Sequence, residues 1–262
     1  MNIQQAFITG ASSGIGQELT RLLAKQGIPV FITGRNKNAL SFLSKELSPF
    51  SKVNFLAADL DNPFHLEELK KILSDLKPDL VINSAGFGLY GETTSYTVEE
   101  QMKILSVNIM ALTEISLQSV SILKKAGRKG IIMNISSAAG CLIYPGFSLY
   151  SASKAYVSHF SQSLDAECKQ YGIRILTCCP GQVHTSFRQH ASLGQNQSKI
   201  DFKTLSVGKA AQLIMKQICN QKPFQIIDTR YKILIFIAKF LIPARRLEQK
   251  LKNEILKRIT PK

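Results

Sequence analysis

The stretch "YSASK" sets Tyr150 four residues before Lys154, an arrangement that can do acid–base chemistry. On a helix the two lie one turn apart, with Cβ atoms about 6 Å from each other. A free phenol has a pKa of about 10 and is a poor proton donor or acceptor at neutral pH. A nearby ammonium favours the phenolate and lowers that value. Lowering it by about 3 requires about 4 kcal/mol of differential stabilisation, which a lysine in a partly desolvated cleft helps to supply. The pair is chemical only if the rest of the chain builds that cleft.

Other residues are candidates for the same cleft. Ser137 ends the apolar run "GIIMNISS" (130–137), and its hydroxyl can hydrogen-bond a substrate oxygen. Asn108 falls inside a long helical pattern, an unfavourable place for asparagine unless its amide has a partner. Gly10, Gly14 and Gly16 of "TGASSGIG" (9–16) permit a tight turn and a close backbone approach. The helix that follows points free N–H groups at an anion, a natural seat for a pyrophosphate. The spacing is G-x-x-x-G-x-G, not the commoner G-x-G-x-x-G, and such a turn is equally at home as pure structure. Folds that prefer NAD place a carboxylate at the end of the second strand. Here that position is Gly34, followed by Arg35, whose guanidinium can bind a 2′-phosphate. NADP(H) is therefore favoured over NAD(H), and a cationic nicotinamide would add to the effect of Lys154 on the phenol.

The elements that must position these residues alternate along the chain. Apolar runs at 6–9, 29–34, 53–60, 79–86, 130–137, 173–181 and 223–228 read as strands. Helical patterns follow the glycine turn and recur near 36–47, 63–76, 97–125 and 150–171. Strands that are apolar throughout, separated by helices, mean a parallel sheet covered on both faces. The expected fold is thus α/β, a doubly wound Rossmann-type domain with a seven-stranded parallel sheet. Such sheets bind ligands at the carboxyl ends of their strands. The domain is expected over 1–228, with 229–262 a helical extension of it rather than an independent unit.

The 262 residues suit one large domain and are awkward for two. The N-terminus "MNIQQAFITG" lacks the basic start and apolar run of a secretory signal, and no apolar stretch reaches the ~20 residues of a spanning helix. Cys141, Cys168, Cys178, Cys179 and Cys219 lack metal-type spacing and are expected as reduced thiols in a cytoplasmic protein, Cys178 and Cys179 in the core. No metal site is expected. Residues 222–262 hold eleven Lys or Arg against three Asp or Glu, a net +8 out of the whole chain's +15. The basicity therefore belongs largely to a tail, and that tail has few aromatics to stack on bases, so no nucleic acid is expected.

The chain resembles the short-chain dehydrogenases/reductases, of the compact single-domain kind. The resemblance rests on "TGASSGIG", "NSAG" (83–86), Asn108, "NISSAAG" (134–140), "YSASK" and "PGQVHT" (180–185), in the family's order, and spans about residues 5–228. It implies that Tyr150 protonates the carbonyl oxygen as hydride arrives and that Lys154 tunes Tyr150 and binds a ribose. It implies that Ser137, rather than its neighbour Ser136, polarises the carbonyl, and that Asn108 holds a water of the proton relay. The turn residues Gly10, Ser12, Ser13, Gly14, Ile15 and Gly16, with Arg35, would meet the phosphates and adenine ribose. Asp59 and Leu60 would meet the adenine, Asn83, Ala85 and Gly86 the inner ribose, and Val183 and Thr185 the carboxamide. Ser84 departs from the commoner "NNAG". "FQIIDTR" replaces the usual "DGG" ending, which puts the family's C-terminal tetramer contact in doubt; a homodimer is expected instead.

The tail has its own pattern. "ILIFIAKFLI" (233–242) is apolar at nine of ten positions, and Pro243 ends it. Leu247, Leu251, Ile255 and Ile259 then recur every four residues among Arg245, Arg246, Lys250, Lys252, Lys257 and Arg258. This reads as a basic amphipathic helix suited to peripheral attachment at a membrane surface. The alternative is that the apolar run covers the substrate cleft or meets a second subunit. His65 and His159 read as surface or packing residues. His184 and His190 lie in a segment, 182–204, expected to cover the substrate. Leu142, Tyr144, Phe147, Leu149 and Phe187 favour a hydrophobic substrate. The leading expectation is an NADP(H)-dependent enzyme that interconverts a carbonyl and an alcohol. The other is a cofactor-binding redox sensor or scaffold that docks on an anionic partner through its basic tail.

Overall fold

The computed structural model describes residues 3–185, 187 and 204–240. Seven strands form one sheet: β1 (Ala6–Thr9), β2 (Val30–Gly34), β3 (Val53–Ala57), β4 (Leu80–Asn83), β5 (Gly130–Ile135), β6 (Ile173–Cys179) and β7 (Phe224–Ile226). Their spatial order is β3-β2-β1-β4-β5-β6-β7, with every neighbouring pair parallel. The chain winds outward from β1 through β2 to β3. It then crosses back to β4 on the other side, so β1 and β4 flank the switch point where such sheets open a crevice.

Alternate residues of each strand serve two separate cores. Ala6, Ile8, Val30, Ile32, Leu80, Ile82, Ile131 and Met133 face one side. There they meet Leu19 and Leu23 of α1 (Gly14–Ala24), Leu40, Leu43 and Leu47 of α2 (Lys37–Leu47) and Ala210, Ile214 and Ile218 of a later helix, Val207–Asn220. Phe7, Phe31, Val81, Ile132, Ile173 and Ile175 face the other side. They meet α3 (Pro63–Leu76), α5 (Leu112–Lys125) and α6 (Ser148–Cys168) through Leu69, Leu73, Ile115, Leu123 and Leu164. With both faces covered, central strands need no polar alternation, and each fully buried Leu or Ile contributes about 2–3 kcal/mol. Cys178 and Cys179 are fully buried, and none of the five cysteines is in a disulfide.

Three differences from the sequence reading matter. First, β3 to β6 end two to three residues early, at Ala57, Asn83, Ile135 and Cys179, and β7 is shorter at both ends. Beyond those points the chain leaves the ladder, although Ala58 and Leu60 still pack into the core. Second, the single helix expected over 97–125 is α4 (Val98–Leu105), a π-helical turn (Ser106–Ala111) and α5. The wider turn inserts one residue and turns Asn108 fully inward. The whole run is long and apolar enough to cross a bilayer by length and composition. Its Ile104, Ala111, Leu112, Ile115 and Leu123 are nevertheless buried in the fold. Third, α7 (Val207–Asn220) has no counterpart in the sequence reading, although Ser206 caps it by accepting from Lys209 N. The final described helix is α8 (Thr229–Phe240).

Two polar clusters lock the layers. Asn83 Nδ2 donates to Asn134 Oδ1 (2.8 Å) and to Ser116 Oγ (3.1 Å), and Asn134 Nδ2 donates to Ser161 Oγ (2.9 Å). These bonds tie β4 and β5 to α5 and α6. Near the far end of α6, the buried Asp165 accepts from Arg174 Nε and Nη2 (both 2.9 Å) and from Ile175 N (2.8 Å). That bidentate pair fixes α6 against the start of β6. Removing one partner of a buried, hydrogen-bonded charge pair leaves the other unpaired. Asp165→Ala is therefore expected to lower the unfolding free energy by about 2–4 kcal/mol. Urea denaturation measures it, and a loss below about 1 kcal/mol would mean that the pair behaves as an exposed one.

Candidate active site

The site opens at the carboxyl edge between β1 and β4. Thr9 Oγ1 accepts from Ser84 N (3.2 Å) and Ala85 N (3.1 Å), which binds the ends of the two strands together. Gly10 then turns with φ +69°, and a Cβ there would lie 2.7 Å from Ala85 Cα and N. Only glycine combines that backbone with that approach. Ser12 packs on Gly34, and Gly14 lies against the Thr185 methyl. Ser13 precedes α1 in extended conformation, and its side chain makes no capping bond. The first-turn N–H groups of α1, from Gly14, Ile15 and Gly16 onward, are thus left for an anion.

Arg35 is exposed directly after β2, with its guanidinium 6.0 Å from the Phe87 ring centroid. It makes no ion pair among the described residues. Past the end of β3, Asp59 N donates to His65 Nδ1 (3.1 Å), and Asp59 Oδ1 accepts from Asp61 N (3.1 Å). His65 is accordingly a packing residue, and His159 is exposed on α6. The Leu60 side chain turns into the core beside Leu66 rather than toward the crevice. The Asn83 side chain is likewise spent inside the sheet, with Oδ1 lacking a hydrogen-bond partner. Only their backbones remain for a ligand. A hydrogen-bonded bridge joins Val183 to Leu205 and brings the two ends of the intervening segment together. Most of that segment, His190 included, lies outside the described residues.

On the β5 side, α6 carries Tyr150 and Lys154 to the same edge. Lys154 is buried, and its Nζ donates to the Ile135 carbonyl (2.9 Å). A Cβ at Gly86 would lie 3.0 Å from Asn108 Oδ1 and 3.1 Å from Lys154 Nζ, so the three residues converge. Asn108 Nδ2 donates to Phe87 O (2.9 Å) and Ser153 Oγ (3.0 Å), while Oδ1 accepts from Phe87 N (3.1 Å). These partners answer the question raised by an asparagine in mid-helix. Ser137 sits between β5 and a short 3₁₀ turn (Ala138–Cys141), its Oγ accepts from Ala139 N (3.1 Å), and its hydroxyl acts on the Tyr150 phenol, drawing its pKa down. Ser136 instead points inward, donating to the Lys154 carbonyl (2.7 Å) beside Ser158.

Sequence reasoning passed over several residues here. Ser153 donates to Tyr150 O (2.7 Å) and links it to Asn108. The backbone of Phe87 fixes Asn108 and leaves no sequence signal. Phe147, read only as pocket lining, stacks on Tyr150 at 4.2 Å and 25°. Tyr90 and Tyr144 meet Phe147 edge-on, and Phe187 tilts onto Tyr150 at 5.3 Å. An aromatic wall thus surrounds the phenol. Spacing of Tyr and Phe in "LIYPGFSLY" (142–150) held a hint of it.

The electrostatics reverse one expectation. Burial pushes Tyr150 up to about 12, against a downward pull from the Ser137 hydrogen bond. Burial pushes Lys154 down to about 8. The ammonium therefore does not depress the phenol. Its bond goes to Ile135, and desolvation penalises both charged forms.

A phenol held above its unfolded value contributes stability that is present below pH 10 and lost as pH rises from about 10 to about 12. Ultraviolet titration should show the folded parent and the Tyr150→Phe variant coinciding through pH 10 and parting only toward 12. A difference already complete near pH 10 would contradict the buried geometry.

The family model described as short chain dehydrogenase matches residues 4–196. An uncharacterized oxidoreductase of Staphylococcus epidermidis is 30% identical over 194 residues, which cover 73% of this chain and 83% of that protein. A short-chain dehydrogenase from Sphingobium yanoikuyae in complex with NADPH is 25% identical at TM-score 0.79, covering 98% of this chain and 96% of its own. A short chain dehydrogenase/reductase from Burkholderia phymatum in complex with NAD has the same fold at 20% identity and TM-score 0.80, covering 90% of this chain and 92% of its own. The matched span runs through the glycine turn, the Asn108 helix and the Tyr150–Lys154 pair, and the chain belongs to the short-chain dehydrogenase/reductase family of oxidoreductases.

Proposed function

We propose that the protein reduces a carbonyl on a hydrophobic small molecule, or oxidises the corresponding alcohol, with NADP(H). The observation that carries this reading is the convergence of Ser137, Tyr150, Lys154 and Asn108 beside the glycine turn of α1. The cofactor supplies the hydride. Its pyrophosphate is assigned to the turn of Gly10, Ser12, Ser13, Gly14, Ile15 and Gly16 and to the amino end of α1. A Cβ at Gly10 would close that cradle against Ala85. The backbones of Asn83, Ala85 and Gly86 are assigned to the inner ribose, Asp59 and the backbone of Leu60 to the adenine, and Val183 and Thr185 to the carboxamide.

Ser137 and Tyr150 are assigned to the carbonyl oxygen, on which charge builds as hydride arrives. Ser137 holds that oxygen, and Tyr150 donates its proton to it. The raised phenol value keeps Tyr150 protonated, so the proton is present, and a positive charge beside it makes that proton easier to release. Returning the proton in the other direction requires the phenolate, which Lys154 and a nearby positive charge favour. Both N–H groups of Asn108 are engaged, so a relay water falls to one of its oxygens. The aromatic wall of Tyr90, Tyr144, Phe147 and Phe187, together with Leu142 and Leu149, suits an apolar substrate body. Self-association as a homodimer is assigned to the π turn, α5 and α6, which expose Met110, Leu117 and Tyr156 respectively.

The preference for NADP(H) rests on Gly34 and Arg35. Arg35 is exposed at the end of β2 with no acid to repel a phosphate from that position. NADPH is expected to bind at least about tenfold tighter than NADH, ~1.4 kcal/mol, and Arg35→Ala to erase most of the difference. Fluorescence titration of both cofactors reads it; equal affinities in the parent would remove the assignment.

Tyr150→Phe is expected to keep NADPH affinity and lose at least about 100-fold in turnover, the scale of a positioned general acid. NADPH oxidation over a panel of aromatic and aliphatic ketones and aldehydes provides the assay. Near-parental turnover in the variant would end the role given to Tyr150.

A further inference from the structure

Helix α8 carries apolar residues on two opposite faces. On one, Ile235 and Ala238 are buried, and Tyr231 lies so close to Gly181 that a Cβ there would overlap its ring. That face packs near β7 and the 3₁₀ turn Ala138–Cys141 that follows Ser137. α8 therefore flanks the mouth of the active site. On the opposite face, Ile233 is 55% exposed and Ile237 36%, with Leu234 at its margin 43% exposed. At 3.6 residues per turn, Ile233 and Ile237 point the same way and roughly opposite to Ile235. Phe236 is also exposed, and Arg230 lies in the same i, i+3, i+7 row as Ile233 and Ile237, so this face joins apolar side chains to a cation, the composition of an interfacial helix.

We propose that the exposed face of α8 lies on an anionic lipid bilayer, seating the protein on the membrane surface beside its active-site mouth. Charge selects this occupant. Residues 229–262 contain ten Lys or Arg and only two Asp or Glu. A two-fold contact through the same face would set two such segments against each other, whereas an anionic leaflet attracts them. Lys232 flanks the exposed face on α8 itself. The sequence that follows spaces Leu247, Leu251, Ile255 and Ile259 among basic residues in the same sense. At about 1.5 Å per residue the helix is about 18 Å long, too short for a core of about 30 Å. It lies in the interface and does not cross it. The inference stands whether or not the site reduces carbonyls.

The test is flotation of the full chain with vesicles of phosphatidylcholine alone or mixed with phosphatidylglycerol. The parent should float with the anionic vesicles at about 0.05 M salt and not with the neutral ones. Raising salt to about 0.5 M shortens the screening length severalfold and should cut binding at least about fivefold. The double variant Ile233→Asp, Ile237→Asp should lose at least about tenfold in binding with an unchanged melting temperature. If that variant melts early, Ile233→Gln alone decides in its place. No flotation of the parent at low salt, or equal flotation of the variant, overturns the proposal. A parent that ignores vesicles and becomes monomeric on the double substitution, by light scattering, overturns it too, because the face is then a subunit contact.

Discussion

A lysine ammonium buried at the end of β5 is the constraint around which this structure is arranged. Burying an ammonium is costly unless it is hydrogen-bonded, and the Ile135 carbonyl is the described partner of Lys154 Nζ. That bond requires α6 to lie flush on the sheet edge. Gly140 permits this, because a Cβ there would stand 2.6 Å from the Lys154 backbone. Ser136 bonds the Lys154 carbonyl, and the Asp165–Arg174 pair holds the other end of α6. Gly86 leaves the room in which Lys154 and Asn108 approach the same point. The residues around Lys154 are therefore placed by packing first, and their chemistry follows from where packing leaves them.

The same burial sets the proton chemistry. Desolvation penalises phenolate and ammonium alike. Phe147, stacked on Tyr150, and Phe187, tilted over it, shield the phenol from solvent. Burial consequently keeps the Tyr150 phenol protonated. A charged ring entering beside it would shift the balance toward the phenolate.

Much of this was legible in the residues. The parallel sheet could be read because strands buried on both faces are apolar throughout, as Phe7–Ile8 and Val81–Ile82 are. The glycine turn was legible because a left-handed Gly10 pressed on Ala85 tolerates no other residue. The pairing of Tyr150 with Lys154 was legible from helical spacing, but the sign of its pKa shift was not, since that depends on how much water reaches it. Strand ends were read too long because Leu60, Ala85 and Pro180 stay apolar after leaving the ladder. The π turn at Ser106–Ala111 was hidden because its residues keep a helical pattern, and the partner its Asn108 meets, the Phe87 backbone, lies 21 residues away in the chain. Asn83 and Leu60 were expected at the crevice, yet their side chains turn into the protein, and sequence order cannot say which way a residue at a strand end faces. Helix α7 was missed although Ser206, Ala210, Ile214 and Ile218 spell it, because it emerges from a stretch without periodicity.

The central claim is that hydride and proton meet a carbonyl at Ser137, Tyr150 and Lys154. The most direct test is to supply NADPH deuterated at the transferred position, with a hydrophobic ketone or aldehyde, and to analyse the product by mass spectrometry and NMR. The account predicts one deuterium on the former carbonyl carbon, formed by the parent and not by the Tyr150→Phe or Ser137→Ala variant. Deuterium-labelled alcohol formed equally by those variants, or NADPH bound with no alcohol formed from any carbonyl offered, would contradict it.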